Sequence, residues 1–229
     1  MKKLTFYILA LMFFIPGCTF AHQPRIVTDN FVEISNPEVS QAFYGELNGS
    51  PVEYQIQSSK DFDLYVGLLV PDISSVKKDL IIEISRIKND KKEILDVLDG
   101  SKFEWTPFYE EYAGDNYLWG PEYKDLNSLR ENGLKGRLVP AGDYRIKVYS
   151  PSNSGKYSLV TGYLESFPIK EMLNALIIVP QLKLNFFNES IIKVLSSPFV
   201  SIPILLGIII VALIIFIFRF FFKKRRQIY

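Results

Sequence analysis

Between residues 31 and 161 apolar side chains recur mostly at every second position, in short runs cut by turn residues. In "VEYQIQS", Val52, Tyr54 and Ile56 share one face while Glu53, Gln55 and Gln57 share the other, the period of a half-buried strand. Phe31-Val32-Glu33-Ile34, Ala42 to Leu47 and "DLIIEISRI" alternate in the same way. "YRIKVYS" lines up Tyr144, Ile146 and Val148, and "KYSLVTGYL" lines up Tyr157, Leu159 and Thr161. "FDLYVGLLV" is denser and closes at Pro71-Asp72; Asn48-Gly49 marks a turn, and the charged run Lys88 to Lys92 marks a solvated hairpin tip. Short strands at spacings of ~8–12 residues predict a mostly β chain, an antiparallel Ig-like or jelly-roll-type β-sandwich over residues 22–165.

From Phe167 the period lengthens. Ile169, Met172, Leu173, Leu176 and Ile177 stand at helical spacing after Pro168, and Pro180 should end that piece. Residues 166–200 therefore read as a juxtamembrane helical segment, docked either on the sandwich or on the membrane surface. Ile202 to Phe218 carries no charge, and with Phe220 to Phe222 the apolar stretch reaches the ~20 residues that cross a bilayer. A transmembrane helix is predicted at 201–222, followed by a basic tail, 223–229, that the positive-inside rule places in the cytoplasm.

The start of the chain changes the picture again. Lys2 and Lys3 precede an apolar core, Leu4 to Ile15, and Thr19-Phe20-Ala21 offers a cleavage site, so 1–21 reads as a signal peptide. Ile15-Pro16-Gly17-Cys18 resembles a lipobox and supplies a competing outcome, lipidation of Cys18. Signal and span together predict a single-pass protein of the cell membrane, its N-terminal domain extracytoplasmic and the bilayer its first partner.

Charge is nearly balanced, with 26 Lys and Arg against 25 Asp and Glu. Seven of the cations (Lys2, Lys3, Arg219, Lys223, Lys224, Arg225 and Arg226) lie outside residues 22–200, which leaves 19 against 25 in the body. A mildly acidic body lacks the basic patches that neutralise phosphates, so no nucleic-acid partner is expected. The single cysteine, Cys18, would leave with the signal, and the single histidine, His22, has no second imidazole to join it. The usual Ser-His and Cys-His nucleophile systems are therefore out of reach of this chain.

Two stretches, "AFYGELNGSPVEYQIQSSKDFDLYV" and "VPAGDYRIKVYSPSNSGKYSLVTG", resemble the pre-peptidase C-terminal type of secreted β-sandwich. The former is similar to that module's opening strand, turn, next strand and Asp-x-Asp-Leu-Tyr strand; the latter is similar to its closing hairpin. The resemblance covers about 49 residues, 42–66 and 139–162, and its strand-and-turn motifs are shared by many sandwiches. It implies an accessory, non-catalytic module used for binding or secretion. Two departures stand out: no catalytic domain accompanies it, and Gly67 to Leu138 is long for that module.

That long middle contains "FEWTPFYEEYAGDNYLWGPEY", residues 103–123, with both tryptophans, six other aromatics and five carboxylates. Its irregular aromatic spacing, with Gly114-Asp115 and Gly120-Pro121 as punctuation, predicts part of a long aromatic and acidic loop, 101–138, that caps the core. Trp105, Tyr109, Tyr112, Tyr117 and Trp119 are the candidate contacts for a protein partner or a glycan, since such side chains give large rigid area with a polar edge. Glu110 and Glu111 are adjacent and, on a strand, face opposite ways, which weakens an acid/base pairing. Asp61 and Asp63 share a strand face and Asp143 opens another strand, an oxygen-only set that suits structural Ca²⁺; no other cofactor is expected. The expected function is a non-enzymatic binding or interaction module at the cell surface. The alternatives are a carbohydrate-recognising module or accessory subunit of an envelope complex, and a carboxylate-based hydrolase.

Overall fold

The computed structural model describes residues 22–111, 113–125 and 136–226. The expected signal peptide, lipidation at Cys18, candidate contact Tyr112, part of the expected 101–138 loop and the end of the basic tail lie outside these residues. In chain order the strands are β1 (Gln23–Ile26), β2 (Phe31–Glu33), β3 (Gln41–Asn48), β4 (Val52–Ser58), β5 (Phe62–Leu64), β6 (Val66–Pro71) and β7 (Ile81–Lys88). They continue with β8 (Lys91–Asp99), β9 (Thr106–Glu110), β10 (Asp115–Tyr123), β11 (Arg137–Val139), β12 (Gly142–Tyr149) and β13 (Ser154–Thr161). Three helices close the described chain: α1 (Ile169–Gln181), α2 (Ile191–Ser196) and α3 (Pro198–Arg226).

The strands form two layers, β1-β3-β13-β6-β10-β9 and β2-β4-β12-β7-β8, with a small β11-β5 pair beside them. Most pairings are antiparallel, but β1 on β3 and β2 on β4 are parallel, so both sheets are mixed. The reason is topological. The turns β1–β2 and β3–β4 each carry the chain from the first sheet to the second, side by side, and the Asn30 amide donates to the Ser50 hydroxyl at 2.9 Å between them. Strands delivered by neighbouring crossings in the same direction must run parallel. The stretch from β12 to β13, which resembled a closing hairpin, crosses between sheets as well: β12 pairs with β4 and β7, β13 with β3 and β6. The Lys88–Lys91 tip is a true two-residue hairpin, with Asn89 and Asp90 both at positive φ (51° and 58°).

Alternation delivers the core. Val52, Tyr54, Ile56, Tyr144, Ile146 and Val148 from one sheet meet Phe43, Leu47, Leu68, Tyr157 and Leu159 from the other, all buried. Gly45 makes room for Tyr157, whose ring would stand 2.6 Å from a Cβ there. Tyr157 uses that room to reach Tyr54, hydroxyl to hydroxyl at 2.9 Å inside the core. Tyr144 donates to the Pro140 carbonyl at 2.6 Å, tying the turn before β12 to its own strand.

The aromatic stretch is a hairpin at the edge of the first sheet rather than a loop: Thr106 to Glu110 pairs with Asp115 to Trp119. The register of β10 against β6 shifts between Trp119 and Glu122. That bulge explains the irregular spacing, because Tyr117 and Trp119 face outward while Tyr123, beyond it, points into the core.

The helical segment docks on the sandwich. Arg25 of β1 pairs with Glu171 of α1 at 2.7 Å, and Gln23 donates to the Ser166 carbonyl at 2.6 Å. Pro180 does not stop the helix at once; it is followed by a π-helical turn, Leu182–Phe186, closed by Phe187 N–H on the Leu182 carbonyl at 3.0 Å. Proline's missing donor loosens the ladder at that point, and the wider turn relieves it. α3 begins three residues earlier than the span expected from sequence, and Pro198–Phe216 is long and apolar enough to cross a membrane, with none of it buried in the fold.

Candidate interaction surface and the lid beside it

The edge hairpin β9–β10 divides the aromatics among three environments. Trp105 closes the sandwich: its indole N–H donates to the Gly100 carbonyl at 2.8 Å, and its ring packs against the core over Gly120, where a Cβ would sit 2.6 Å away. Tyr117 and Trp119 lie on the outer face of the first sheet, packed with Tyr65, Leu69 and Val160 against Leu182, Phe186 and Phe187. Tyr109 is 56 % exposed on β9 with the exposed Phe108 next to it in sequence, and Phe103 is exposed before the strand begins. Phe108 stands edge-on to Trp119 at 5.0 Å, so its ring bridges the buried and open parts of the hairpin. Of the five aromatic candidates only Tyr109 presents most of its side chain to solvent among the described residues. Among the described residues β9 pairs with β10 alone and ends the sheet.

Residues 169–187 form a lid over the outer face. Beneath it lies a polar centre that alternation in the sequence does not announce. Lys183 on the π turn and Asp115 on β10 are 1 % and 3 % exposed in their side chains and pair at 2.5 Å. Glu189 stands 3.8 Å from Lys183 and also pairs with Lys193 at 2.5 Å. Burial pushes the Asp115 carboxyl above its usual range, opposed by the Lys183 ammonium. The hydroxyls of Tyr44 and Tyr117 meet at 2.9 Å beside this pair, and burial raises the pKa of both phenols. A small cavity lined by His22, Tyr44, Glu110, Asp115, Ala175 and Leu182 completes the centre. The His22 ring is hydrogen-bonded through Nδ1 to the Ser40 hydroxyl, a Ser-His pair not expected from the sequence, and burial pulls the imidazole pKa down to about 4. A buried pair of this type fixes register more than it stabilises, because desolvation offsets much of its attraction.

Glu110 Oε2 accepts the Ala113 N–H at 2.7 Å and serves the turn between β9 and β10. The carboxylates proposed from sequence for Ca²⁺ have separate duties. Asp61 accepts the Ala141 N–H at 2.8 Å, Asp63 accepts from the Tyr163 hydroxyl at 2.8 Å, and Asp143 is exposed at the start of β12. Among the described residues no group of three or more His, Cys, Asp or Glu is placed to hold a metal ion. A groove of about 530 Å³ between the β1 and β2 edges is lined by polar groups that bind one another: Arg25 to Gln23 at 2.6 Å and to Glu171, Gln41 to the Ser35 carbonyl at 2.9 Å.

No family model matches the chain, and no curated protein matches it. Among solved structures it is similar to the pre-peptidase C-terminal domain of a collagenase from Bacillus anthracis, at 8 % identity and a TM-score of 0.31, over 62 % of this chain and 97 % of that one. A likeness that weak adds nothing to what the geometry of the hairpin and lid shows.

Proposed function

We propose that this protein is a membrane-anchored, extracytoplasmic β-sandwich that works as a non-catalytic interaction module, offering the β9 edge to a protein partner. The observation that carries the reading is the apolar helix Pro198–Phe216, uncovered by the fold apart from Phe199, on a chain whose described residues place no further strand on the aromatic β9 edge. A helix apolar on every side finds its solvent in a bilayer. Among the described residues no strand pairs with the outer side of β9, which carries the exposed Tyr109 and Phe108, and that suits addition of an extended segment from a partner. Carbohydrate recognition is the alternative reading. Among the described residues Tyr109 favours it most, since Trp105 packs against the core and Trp119 against the lid, each only partly open.

The test combines two readouts on the full chain. Alkaline carbonate should leave the protein in the membrane pellet, and release into the supernatant would remove the anchor. A partner that co-purifies in stoichiometric amount should be lost on Tyr109→Lys and kept on Leu138→Lys, a change at an exposed apolar site on β11. Retention by Tyr109→Lys would move the interaction away from β9, and a glycan array that lights up and fades on Tyr109→Ala would favour the sugar reading instead.

A further inference from the structure

We infer that the lid is also a pedestal: its outward face is buried in the headgroup region of the same bilayer that α3 enters, so the sandwich lies on the membrane surface. The inference rests on the anchor reading and adds a second membrane contact to it.

α1 has two apolar faces. Ala175 and Val179 are turned to the sandwich, whereas Ile169, Leu173, Leu176 and Ile177 form an exposed stripe at i, i+4, i+7 and i+8, continued by Leu184. α2 repeats the arrangement, with Val194 buried and Ile191, Ile192 and Leu195 exposed, Ile192 to 80 %. So long a run of exposed aliphatic side chains marks a surface that is covered in the working protein.

Distance along the chain identifies the cover. A single residue, Ser197, separates α2 from α3. Six helical residues rise about 9 Å, and the headgroup zone on each side of the hydrocarbon core is about 5–8 Å deep. The exposed face of α2 therefore lies within or just above that zone. α1 is held to the same level by a different contact: Phe199, in the first turn of α3, packs with Phe167 against the Ala113, Ala175 and Val179 cluster. Lys170, exposed, flanks the apolar stripe where an ammonium on a flexible stem can reach lipid phosphates, and Lys193 is exposed on α2 although paired with Glu189. Apolar residues at interface depth with flanking cations are the pattern of a segment lying in the membrane surface.

The test uses tryptophan quenching by brominated lipid in vesicles that carry the full chain. Trp105 and Trp119 give the background, read from the parent protein. Leu176→Trp and Ile192→Trp replace exposed residues; Ile209→Trp reports the span, and Ile94→Trp, on the exposed face of β8, reports the far side of the sandwich. With bromine at the headgroup end of the acyl chain, the added signal of Leu176→Trp and Ile192→Trp should fall about twofold, and that of Ile94→Trp should not change. Quenching of Ile209→Trp without Leu176→Trp overturns the pedestal and leaves the anchor standing; a protein partner or a second copy covering α1 would give that result. An unquenched Ile209→Trp overturns the anchor reading and the pedestal with it.

Discussion

On the inner face of the first sheet, Leu68, Leu118 and Leu159 meet the second sheet in a core whose interior polar contact is the Tyr54–Tyr157 hydroxyl pair. On the outer face, Tyr44, Tyr117 and Asp115 meet a helical lid through hydroxyls, ring edges and a buried ammonium. The inner core is non-directional burial and tolerates small shifts. The outer layer is directional, because a buried charge left without its partner costs far more than a trimmed methyl group. The same sheet is thus covered once by packing and once by a specific latch, and the latch ties the sandwich to the helices that lead into α3.

Removing one half of the latch should have the largest effect. Lys183→Met leaves Asp115 buried and unpaired, at a cost of about 3–5 kcal/mol, and amide exchange should rise first across 169–187. Asp115→Leu with Lys183→Met should regain most of that loss; a double variant as unstable as the single one would deny the pair its role. In the inner core, Leu68→Ala should cost about 3 kcal/mol and lower protection across both sheets together, a global rather than local loss.

The sequence disclosed these two regions unequally. Alternation at Val52, Tyr54, Ile56 and at Tyr144, Ile146, Val148 reports a face turned to a core, and those residues are there. It could not tell that consecutive strands lie in different sheets, because the Asn48-Gly49 turn reads alike for a hairpin and for a crossing. The aromatic stretch misled for a physical reason: the bulge at Gly120-Pro121 resets the alternation, so Trp119 and Tyr123 share a parity but not a face. Lys183–Asp115 was out of reach, since a pair 68 residues apart leaves no local period. The one local hint was a lysine flanked by two leucines in "VPQLKLNFF".

Smaller effects sharpen the contrast. Gly120→Ala would drive a Cβ against the Trp105 ring and the Leu68 carbonyl, 2.6 and 2.8 Å away. Overpacking of this sort costs about 1–3 kcal/mol, visible as a lower melting temperature with a red-shifted Trp105 emission. The lid should also carry a pH dependence from His22. Its folded pKa, about 4, lies below the ordinary value of 6.5, so the unfolded chain binds more protons between those values. Stability from this group is complete above pH 6.5 and is lost as pH falls toward 4, by about 2 kcal/mol for a half-buried ring. His22→Gln should flatten that part of the melting curve against pH; an unchanged slope would place the titration elsewhere.

Thiol accessibility in intact cells would report both the side of the membrane on which the proposed anchored sandwich sits and the exposure of its β9 edge. A membrane-impermeant maleimide should label Tyr109→Cys at once and leave Trp119→Cys nearly unlabelled, relative to the parent chain, whose one cysteine is Cys18. A cysteine added beyond Arg226 should label only after the membrane is permeabilised. Labelling of the tail in intact cells with Tyr109→Cys protected would mean that the sandwich lies on the cytoplasmic side.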